Sequence, residues 1–216
     1  MYFTFDSRII EHSKLSKTFS EVEIKNEPML FSCDLIHARK LGGPITNLIL
    51  DEMPEDWKDR ELIIDSRVHM LMPNWFPCIP GWHHDDVPRS LSNGQPNYYN
   101  PEYHSKHIAC VVNADICPTD FALGLSDFLD IKKGEKYYKV WHKLVEQQIQ
   151  DGILKLHSIK DSVITEFNWN TWHQGTRAIK NGWRLFFRVT AQTFVKPKNE
   201  LRRQTQVYME YPMEGW

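Results

Sequence analysis

The sequence lacks any hydrophobic run long enough to span a bilayer, and it does not begin with the charged-then-apolar pattern of a signal peptide. It also lacks an internal repeat, a low-complexity tract or a block of like charge that would divide it into separate units. We therefore expect a soluble, cytoplasmic protein without a membrane partner, folded as a single domain over residues 1–216.

Net charge is nearly absent as well. The 26 basic and 28 acidic residues leave a formal charge of −2, which provides no general attraction to a phosphate backbone. A nucleic-acid partner is therefore not implied, and the composition leaves the oligomeric state open.

The sequence also lacks closely spaced pairs of cysteines. Cys33, Cys78, Cys110 and Cys117 are scattered without a CxxC spacing, and a chain of 216 residues does not need disulfides to stabilise its core. We expect reduced and mostly buried thiols. Cys78 lies close to the histidine cluster described below, but no neighbouring base is placed to ionise it, so we interpret it as a packing residue.

Strand-like runs separated by turn residues dominate residues 61–195. Between two of these runs, apolar residues recur at helical spacing from Tyr137 to Gln148, until Asp151-Gly152 ends the pattern. This pattern predicts a mostly β fold with flanking helices, a double-stranded β-helix of the jelly-roll or cupin-like type, whose interior can hold a metal and a small cosubstrate. The strand-like runs are 62–72, 107–112, 153–157, 162–167 and 183–195.

The two ends of the chain predict additions to this core. Residues 1–60 are interpreted as a lead-in packed on the core, in which 20–24 alternates like an edge strand and 44–53 has the spacing of a short helix. Residues 196–216 are interpreted as a C-terminal extension, in which 201–209 alternates like a strand and either pairs with a sheet edge or contacts a partner.

Two histidine-containing clusters are the most informative pattern: WHHDD at 82–86 and WHQG at 172–175. A divalent iron needs imidazole nitrogens and a hard carboxylate oxygen on one face, while the opposite face stays free for substrate and oxygen. Successive side chains of an extended strand alternate, so His83 and Asp85 share one side and the pair one residue further shares the other. Either pair could chelate a metal, but not both; a structural polar cluster is the alternative.

Two arginines on the strand predicted after Trp183 add a second feature. Arg184 and Arg188 share one face with Phe186, while the apolar residues between them share the other. Two inward guanidinium groups are costly unless an anion or nearby acids pair with them. A dicarboxylate would satisfy one of them, because the planar fork of arginine matches a carboxylate.

Taken in order, these positions resemble the motif of the iron(II)- and 2-oxoglutarate-dependent dioxygenases. That motif is His-x-Asp, a distal His, and an Arg shortly after it. His83 and Asp85 match its first part, His173 matches the distal histidine, and Arg184 follows eleven positions later, where the family has its cosubstrate-binding arginine.

The resemblance covers roughly residues 67–190. Residues 184–190 are similar to the taurine-dioxygenase-like branch, whereas 82–85 are equally similar to the phytanoyl-hydroxylase-like branch. The doubled pair His84 and Asp86 departs from the motif, since a one-residue slip would exchange the two faces. We favour His83 and Asp85 as ligands because the tryptophan precedes His83 directly.

The resemblance also implies the cofactors and further site residues. The cofactors are Fe(II), 2-oxoglutarate and O2, with 2-oxoglutarate chelating the iron and its far carboxylate held by Arg184. The hydroxyl of Thr119, in a segment similar to one of the family, would meet the same cosubstrate. Substrate contacts are predicted for Arg188 and Trp82, and also for Tyr98 and Tyr99, which lie in the turn-rich stretch 92–106. This stretch is either a lid over the substrate or a solvated tyrosine-rich loop.

The implied reaction converts 2-oxoglutarate and oxygen to succinate and carbon dioxide while a C–H bond of a small-molecule or side-chain substrate is hydroxylated. Two rivals use the same fold. One is a non-catalytic cupin-like module that only holds a metal or ligand, and the other is a metal-dependent isomerase or hydrolase that works without oxygen and with zinc or manganese.

Overall fold

The computed structural model of the chain describes residues 1–100 and 104–209. Over these residues two antiparallel sheets form the centre, with helices packed on their outer surfaces. The strands are β1 (Tyr2–Ser7), β2 (Ile9–Lys14), β3 (Leu30–Phe31), β4 (Leu62–Leu71), β5 (Lys106–Val112), β6 (Thr119–Leu129), β7 (Lys155–Ser158), β8 (Val163–Asn168), β9 (Trp172–Gly175), β10 (Gly182–Ala191) and β11 (Glu200–Leu201). The helices are α1 (Glu21–Asn26), α2 (Leu35–Leu41), α3 (Pro44–Glu52), α4 (Glu55–Lys58) and α5 (Tyr137–Gln150).

The strand order defines a jelly roll. One sheet has the order β2-β8-β5-β10-β4, and in the other β6 pairs with β1, β7 and β9. An isolated bridge between His83 and His173 adds the chain at His83 to the free side of β9. From β4 onward the chain passes repeatedly between the two sheets, which is the winding of a double-stranded β-helix. The predicted fold class is therefore confirmed, and the five predicted runs correspond to β4, β5, β7, β8 and β10.

The space between the sheets is packed at one end and hollow at the other. Phe121 of β6 and Phe167 of β8 meet there with ring centroids 5.3 Å apart in an edge-to-face arrangement. Phe186 of β10 packs against this cluster and also lines a cavity on its other side. The fold thus closes one end of the barrel with aromatic side chains and leaves the other for a ligand.

The outer face of the five-stranded sheet is covered by α1 to α4. Trp57, Ile24 and Ile49 are fully buried there against Leu185 and other residues of the sheet. The alternation of β10 explains this, since its odd-numbered apolar residues face the helices while its arginines face the other sheet.

The expected edge strand at residues 20–24 is wrong, because this segment begins helix α1. The Ser20 hydroxyl accepts a hydrogen bond from the Glu23 backbone N–H at 3.3 Å, and the Glu23 carboxylate accepts one from the Ser20 N–H at 2.8 Å. Such a capping box satisfies N–H groups at the start of a helix, and five alternating residues are too few to outweigh it. The helix expected at 44–53 is confirmed as α3.

The other sheet carries α5 and an aromatic cluster on its outer face. Helix α5 lies between β6 and β7 in the chain, as its spacing predicted, and its Trp141 packs against Phe5 of β1 and Trp172 of β9. Strands β1 and β2 extend the two sheets, so the N-terminal residues contribute to the sheets as well as to their cover. None of the helices in the described ranges has both the length and the apolar character that crossing a bilayer requires.

Residues 201–209 are mostly irregular despite their strand-like alternation. Only Glu200–Leu201 pairs as β11, and Tyr208 makes one isolated bridge with Phe76. Between them, the Arg202 guanidinium bonds Asp65 at 2.6 Å and the Thr205 hydroxyl donates to the Val68 carbonyl at 3.1 Å. These side-chain contacts hold the segment against the middle of β4, beside the cavity, instead of within a sheet.

Replacing Glu27 by alanine is expected to lower the free energy of unfolding by about 2–4 kcal/mol. The buried Glu27 carboxylate accepts hydrogen bonds from the backbone N–H groups of Gly43, Ile45 and Thr46 at 2.9–3.1 Å, at the start of α3. The truncation would leave these donors buried without an acceptor. Urea unfolding measures the effect. Glu55→Ala, at an exposed carboxylate, is the matched control. Equal losses of unfolding free energy in both variants would contradict this role of Glu27.

Candidate metal centre

His83, Asp85 and His173 come together at the inner end of the cavity. Their ligand atoms lie within 4.8 Å of one another. The Nε2 atom of His83 is 3.8 Å from Asp85 Oδ1, and the Nε2 atom of His173 is 3.4 Å from Asp85 Oδ2. Two imidazoles and a carboxylate that converge in this way have the composition of a facial metal site.

The sheet holds the two histidines side by side although they are far apart in the chain. The backbone N–H of each donates to the carbonyl of the other, at 3.0 Å from His83 and 3.2 Å from His173. The N-terminal strand supports this pairing, because the Ser7 hydroxyl accepts a hydrogen bond from the Trp172 N–H at 3.1 Å. The position of β9 therefore depends on β1 as well as on its own sheet.

Each imidazole is fixed by the carbonyl of the residue two positions before it. His83 Nδ1 is 2.8 Å from the Gly81 carbonyl oxygen, and His173 Nδ1 is 2.9 Å from that of Thr171. A carbonyl oxygen only accepts, so each Nδ1 carries the proton. The Nε2 lone pairs then point toward Asp85, and this tautomer is the one that ligates a metal through Nε2.

The electrostatics of the cluster favour the protonation states that a cation requires. Burial, together with the neighbouring His173, lowers the pKa of His83 to about 3. Burial alone would raise the pKa of Asp85, but the charge of Arg188 and the contact with His173 bring it well below its usual value. At neutral pH His83 is uncharged and Asp85 is ionised, which is the state that binds a divalent metal.

The neighbouring pair His84 and Asp86 does not join the cluster. The His84 ring lies against Trp172, with centroids 3.8 Å apart, and its Nδ1 is 3.0 Å from the Tyr98 hydroxyl. Asp86 has a positive φ of 56°, so the extended geometry ends there, and its carboxylate accepts a hydrogen bond from Thr193 at 3.4 Å. Of the two registers left open by the sequence, the structure brings the His83–Asp85 pair to His173.

Arg184 is a buried cation in the same cavity. Its side chain is 2% exposed, and its Nη2 donates to the Thr119 hydroxyl at 3.1 Å. Its Nε has no hydrogen-bond acceptor, and no carboxylate forms an ion pair with it among the described residues. Burial consequently lowers the pKa of Arg184. The cavity thus contains a guanidinium group whose charge is not matched by any described acid.

Arg188 was expected to bind substrate, but its guanidinium group is used inside the protein. It donates to the Asp85 carboxylate and lies 3.8 Å from an oxygen of Asp65 and 4.0 Å from one of Asp86. These three acids raise its pKa against the effect of burial. Arg188 thus pairs with Asp85 through Oδ2, the oxygen that also lies 3.4 Å from His173 Nε2.

Trp82, Tyr98 and Tyr99 were expected at the substrate, and the structure places none of them in the cavity. Trp82 is 1% exposed within the aromatic cluster under α5, since consecutive residues of extended backbone face opposite sides. The Tyr98 hydroxyl donates to Tyr138, and Tyr99 is 46% exposed and donates to Asp130. Part of the expected lid, residues 101–103, lies outside the described residues.

Strand β4 contributes cavity residues that the sequence patterns did not single out. Asp65, Arg67 and His69 line the inner wall together with Pro77 and Phe186. Alternation along β4 is the signal that could have found them, since the three residues are spaced by two. The inner part of the cavity has a volume of about 110 Å³, and an outer part of about 390 Å³ continues toward residues 202–208.

All four cysteines are free. Cys78 lines both parts of the cavity, and burial raises the pKa of its thiol to about 11. The thiol is therefore protonated at neutral pH, in line with its interpretation as a packing residue. Its Sγ lies 2.6 Å from the position that a Cβ on Gly175 would occupy. Residue 175 of β9 therefore has to be glycine, because a side chain there would collide with Cys78.

Low pH is expected to destabilise the protein because some buried histidines stay uncharged in the folded state. His107 is one of these histidines. It is fully buried beside Thr190, and burial, followed by the charge of Arg188, lowers its pKa from 6.5 to about 3. Between these two values the unfolded chain binds the proton and the folded chain does not. Stability therefore falls as the pH decreases through this window, by about 1.4 kcal/mol per pH unit for each such group.

Urea unfolding of wild type and His107→Gln at a series of pH values from 7 to 4 checks this expectation. The variant should show a shallower loss of unfolding free energy as the pH falls, because one of the protons is no longer taken up. Parallel pH profiles would contradict the buried neutral state of His107.

No protein-family model and no curated protein matches this sequence. Among solved structures, the fold is similar to EvdO2 from Micromonospora carbonacea var. aurantiaca, whose crystal structure is complexed with 2-oxoglutarate, at a TM-score of 0.37 and 9% sequence identity. The match covers 76% of this chain and 66% of that one, so the chain spans just under two thirds of the neighbour's length. A similarity this distant says nothing about the reaction, which has to be argued from the cavity.

Proposed function

We propose that the protein is a non-haem iron(II)- and 2-oxoglutarate-dependent dioxygenase that hydroxylates a C–H bond of a small-molecule or side-chain substrate. The observation that carries this proposal is the location, in one cavity, of the His83–Asp85–His173 cluster and the uncompensated guanidinium of Arg184. The cluster alone would also suit a plain metal-binding module, and a buried arginine alone would suit any anion. Together they provide for a metal and for the far carboxylate of a dicarboxylate.

The donor set fits ferrous iron. Two Nε2 lone pairs and one carboxylate oxygen converge, and both imidazoles already have the required tautomer because their Nδ1 protons are held by backbone carbonyls. Two histidines and one carboxylate with open positions opposite are the ligands of non-haem iron oxygenases. The cavity beyond the cluster supplies the room for those positions.

The far side of the cavity fits 2-oxoglutarate. Arg184 offers unused donors in a buried setting, and Thr119 lies against it with a hydroxyl 3.1 Å away. A carboxylate at this place would accept two parallel hydrogen bonds from the guanidinium and compensate its charge. A bound carboxylate would explain why an arginine without an acidic partner among the described residues is buried at this position.

When bound, the iron and 2-oxoglutarate supply the oxidation: one oxygen atom converts 2-oxoglutarate to succinate and carbon dioxide, and the other enters the substrate C–H bond as a hydroxyl. The chain itself binds and orients. Gly81 and Thr171 fix the imidazoles through their carbonyls, Arg188 holds Asp85, and Phe186 closes the inner end of the cavity against water.

Turnover of 2-oxoglutarate tests the proposal directly. Aerobic incubation with ferrous iron should release succinate and carbon dioxide in equal amounts, even slowly without the true substrate, and the release should stop under nitrogen or with zinc in place of iron. Oxygen-independent turnover of a ligand with zinc or manganese would instead favour an isomerase or hydrolase. Tight metal binding with no affinity for 2-oxoglutarate would favour a binding module, and either result would end the dioxygenase proposal.

A further inference from the structure

The outer part of the cavity is a compartment of its own. Its volume of about 390 Å³ falls within the range of small-ligand sites, and it shares Arg67, His69, Cys78, His83 and Asp85 with the inner part. A molecule in this compartment would therefore lie directly beside the metal cluster. The substrate of the proposed reaction would therefore bind in this compartment.

The outer wall is polar and fixed. It is lined by residues of the C-terminal segment whose side chains carry amide, hydroxyl and guanidinium groups. The segment is tied down by the Arg202–Asp65 ion pair at 2.6 Å, by the Thr205 hydroxyl on the Val68 carbonyl, and by the Tyr208–Phe76 bridge. The wall residues are Arg202, Gln204, Thr205, Gln206 and Tyr208.

Arg67 stands at the junction of the two parts. It lies on β4 directly opposite Phe186 of β10, it is partly buried, and it lines both the inner and the outer cavity. No hydrogen bond or ion pair joins its side chain to any residue in the described ranges. The nearest acid on its strand, Asp65, is already shared by Arg188 and Arg202.

The charges of the cavity leave Arg67 uncompensated even in a loaded site. The cavity and its ion-pair network hold one more guanidinium than carboxylate among the described residues. A divalent metal and doubly charged 2-oxoglutarate cancel each other, so an excess positive charge persists after Arg184 has been matched by the far carboxylate. The groups counted are Arg67, Arg184, Arg188 and Arg202 against Asp65, Asp85 and Asp86.

We propose that the substrate is a small polar anion whose carboxylate, phosphate or sulfate group is bound by Arg67, with the remainder of the molecule in the outer compartment against the amides of Gln204 and Gln206. This inference rests on the proposed function for its reaction, but its anion site stands on the geometry alone. A partly desolvated cation in a concave site attracts such a group, and the fork of arginine matches its oxygens. The anion-binding role thus belongs to Arg67 and not to Arg188.

Binding of methyl phosphate to the metal-free chain tests the anion site without relying on turnover. The titration uses Arg184→Met as background, so that Arg67 is the remaining unpaired guanidinium of the described cavity residues, and follows the chemical shifts of the protein by NMR. Adding Arg67→Gln should raise the dissociation constant about tenfold or more, since charge-assisted hydrogen bonds are lost. Adding Arg203→Gln, at an exposed arginine of the same segment that does not line the cavity, should leave it unchanged.

Two further arms make the result specific. Arg67→Lys keeps the charge and should retain most of the affinity, which separates loss of charge from misfolding. Neutral trimethyl phosphate should bind equally weakly whether or not Arg67 has been replaced by glutamine, because it offers no charge to the guanidinium. No binding of methyl phosphate to the Arg184→Met chain, or equal binding with and without the Arg67 guanidinium, would overturn the inference. The failure of the dioxygenase proposal is detected separately, as absent 2-oxoglutarate turnover in the unmodified chain.

Discussion

Replacing His173 by alanine is expected to lower the affinity for ferrous iron by more than roughly a hundredfold, since loss of a mere outer partner of a ligand already costs about 10–100-fold. The remaining pair, His83 and Asp85, would be a bidentate site without the facial geometry that favours iron. Succinate formation from 2-oxoglutarate should fall to background. Metal affinity is measured by competition with a coloured chelator, and turnover by succinate release under air.

The matched control is His157→Ala. His157 is a histidine on β7 that pairs with Glu11 at 3.0 Å and does not line the cavity. This variant should bind iron and turn over 2-oxoglutarate like the wild type. If His173→Ala kept wild-type metal affinity, the convergence of the three side chains would be a structural polar cluster and the metal site would have to be abandoned.

Replacing Arg184 by methionine is expected to have opposite effects on binding and on stability. The affinity for 2-oxoglutarate should fall about a hundredfold or more, because two charge-assisted hydrogen bonds to a carboxylate are lost. The ligand-free protein should become more stable by roughly 1–3 kcal/mol, because a buried charge without a matching acid is replaced by an apolar side chain of similar length. Calorimetric titration measures the first effect and urea unfolding without ligand measures the second.

The combination of ligand affinity and stability in Arg184→Met distinguishes a ligand-binding arginine from a structural one. A structural Arg184 would lose stability on substitution, since its partners would be left unpaired. A loss of stability in Arg184→Met with unchanged affinity for 2-oxoglutarate would therefore contradict the proposal on both counts. Arg203→Met, at an exposed site, serves as control and should change neither quantity.

Local patterns in the chain predicted much of the fold. Runs rich in apolar and β-branched residues became β4, β5, β8 and β10, and the helical spacing of α5 was correct, since both kinds of pattern are local properties of the chain. The helix α1 was missed, because five residues cannot distinguish the two periods when the N-cap is ignored. The course of the C-terminal segment was left open by the sequence, because its contacts are to Asp65 and Val68, more than a hundred residues away in the chain.

The candidate site was predicted to a similar extent. The order of His83, Asp85, His173 and Arg184 identified a set of side chains that the fold brings into one cavity. Tyr98 and Tyr99 were selected for their position in a turn-rich loop, yet the first is packed against Tyr138 and the second reaches Asp130 at the surface. The composition of a loop does not indicate whether its side chains face a cavity or the protein surface.

The sequence by itself determined which chemistry was available: two imidazoles, a carboxylate and inward arginines in a fixed order, because residue type and strand alternation are local properties. Only the tertiary structure decided which of them meet. The backbone pairing of His83 with His173 of β9 brought the His83–Asp85 register to the cluster, the acids around Arg188 engage its guanidinium group, and the pairing of β4 with β10 left Arg67 without a partner among the described residues. These outcomes depend on contacts between distant segments, which no local pattern encodes.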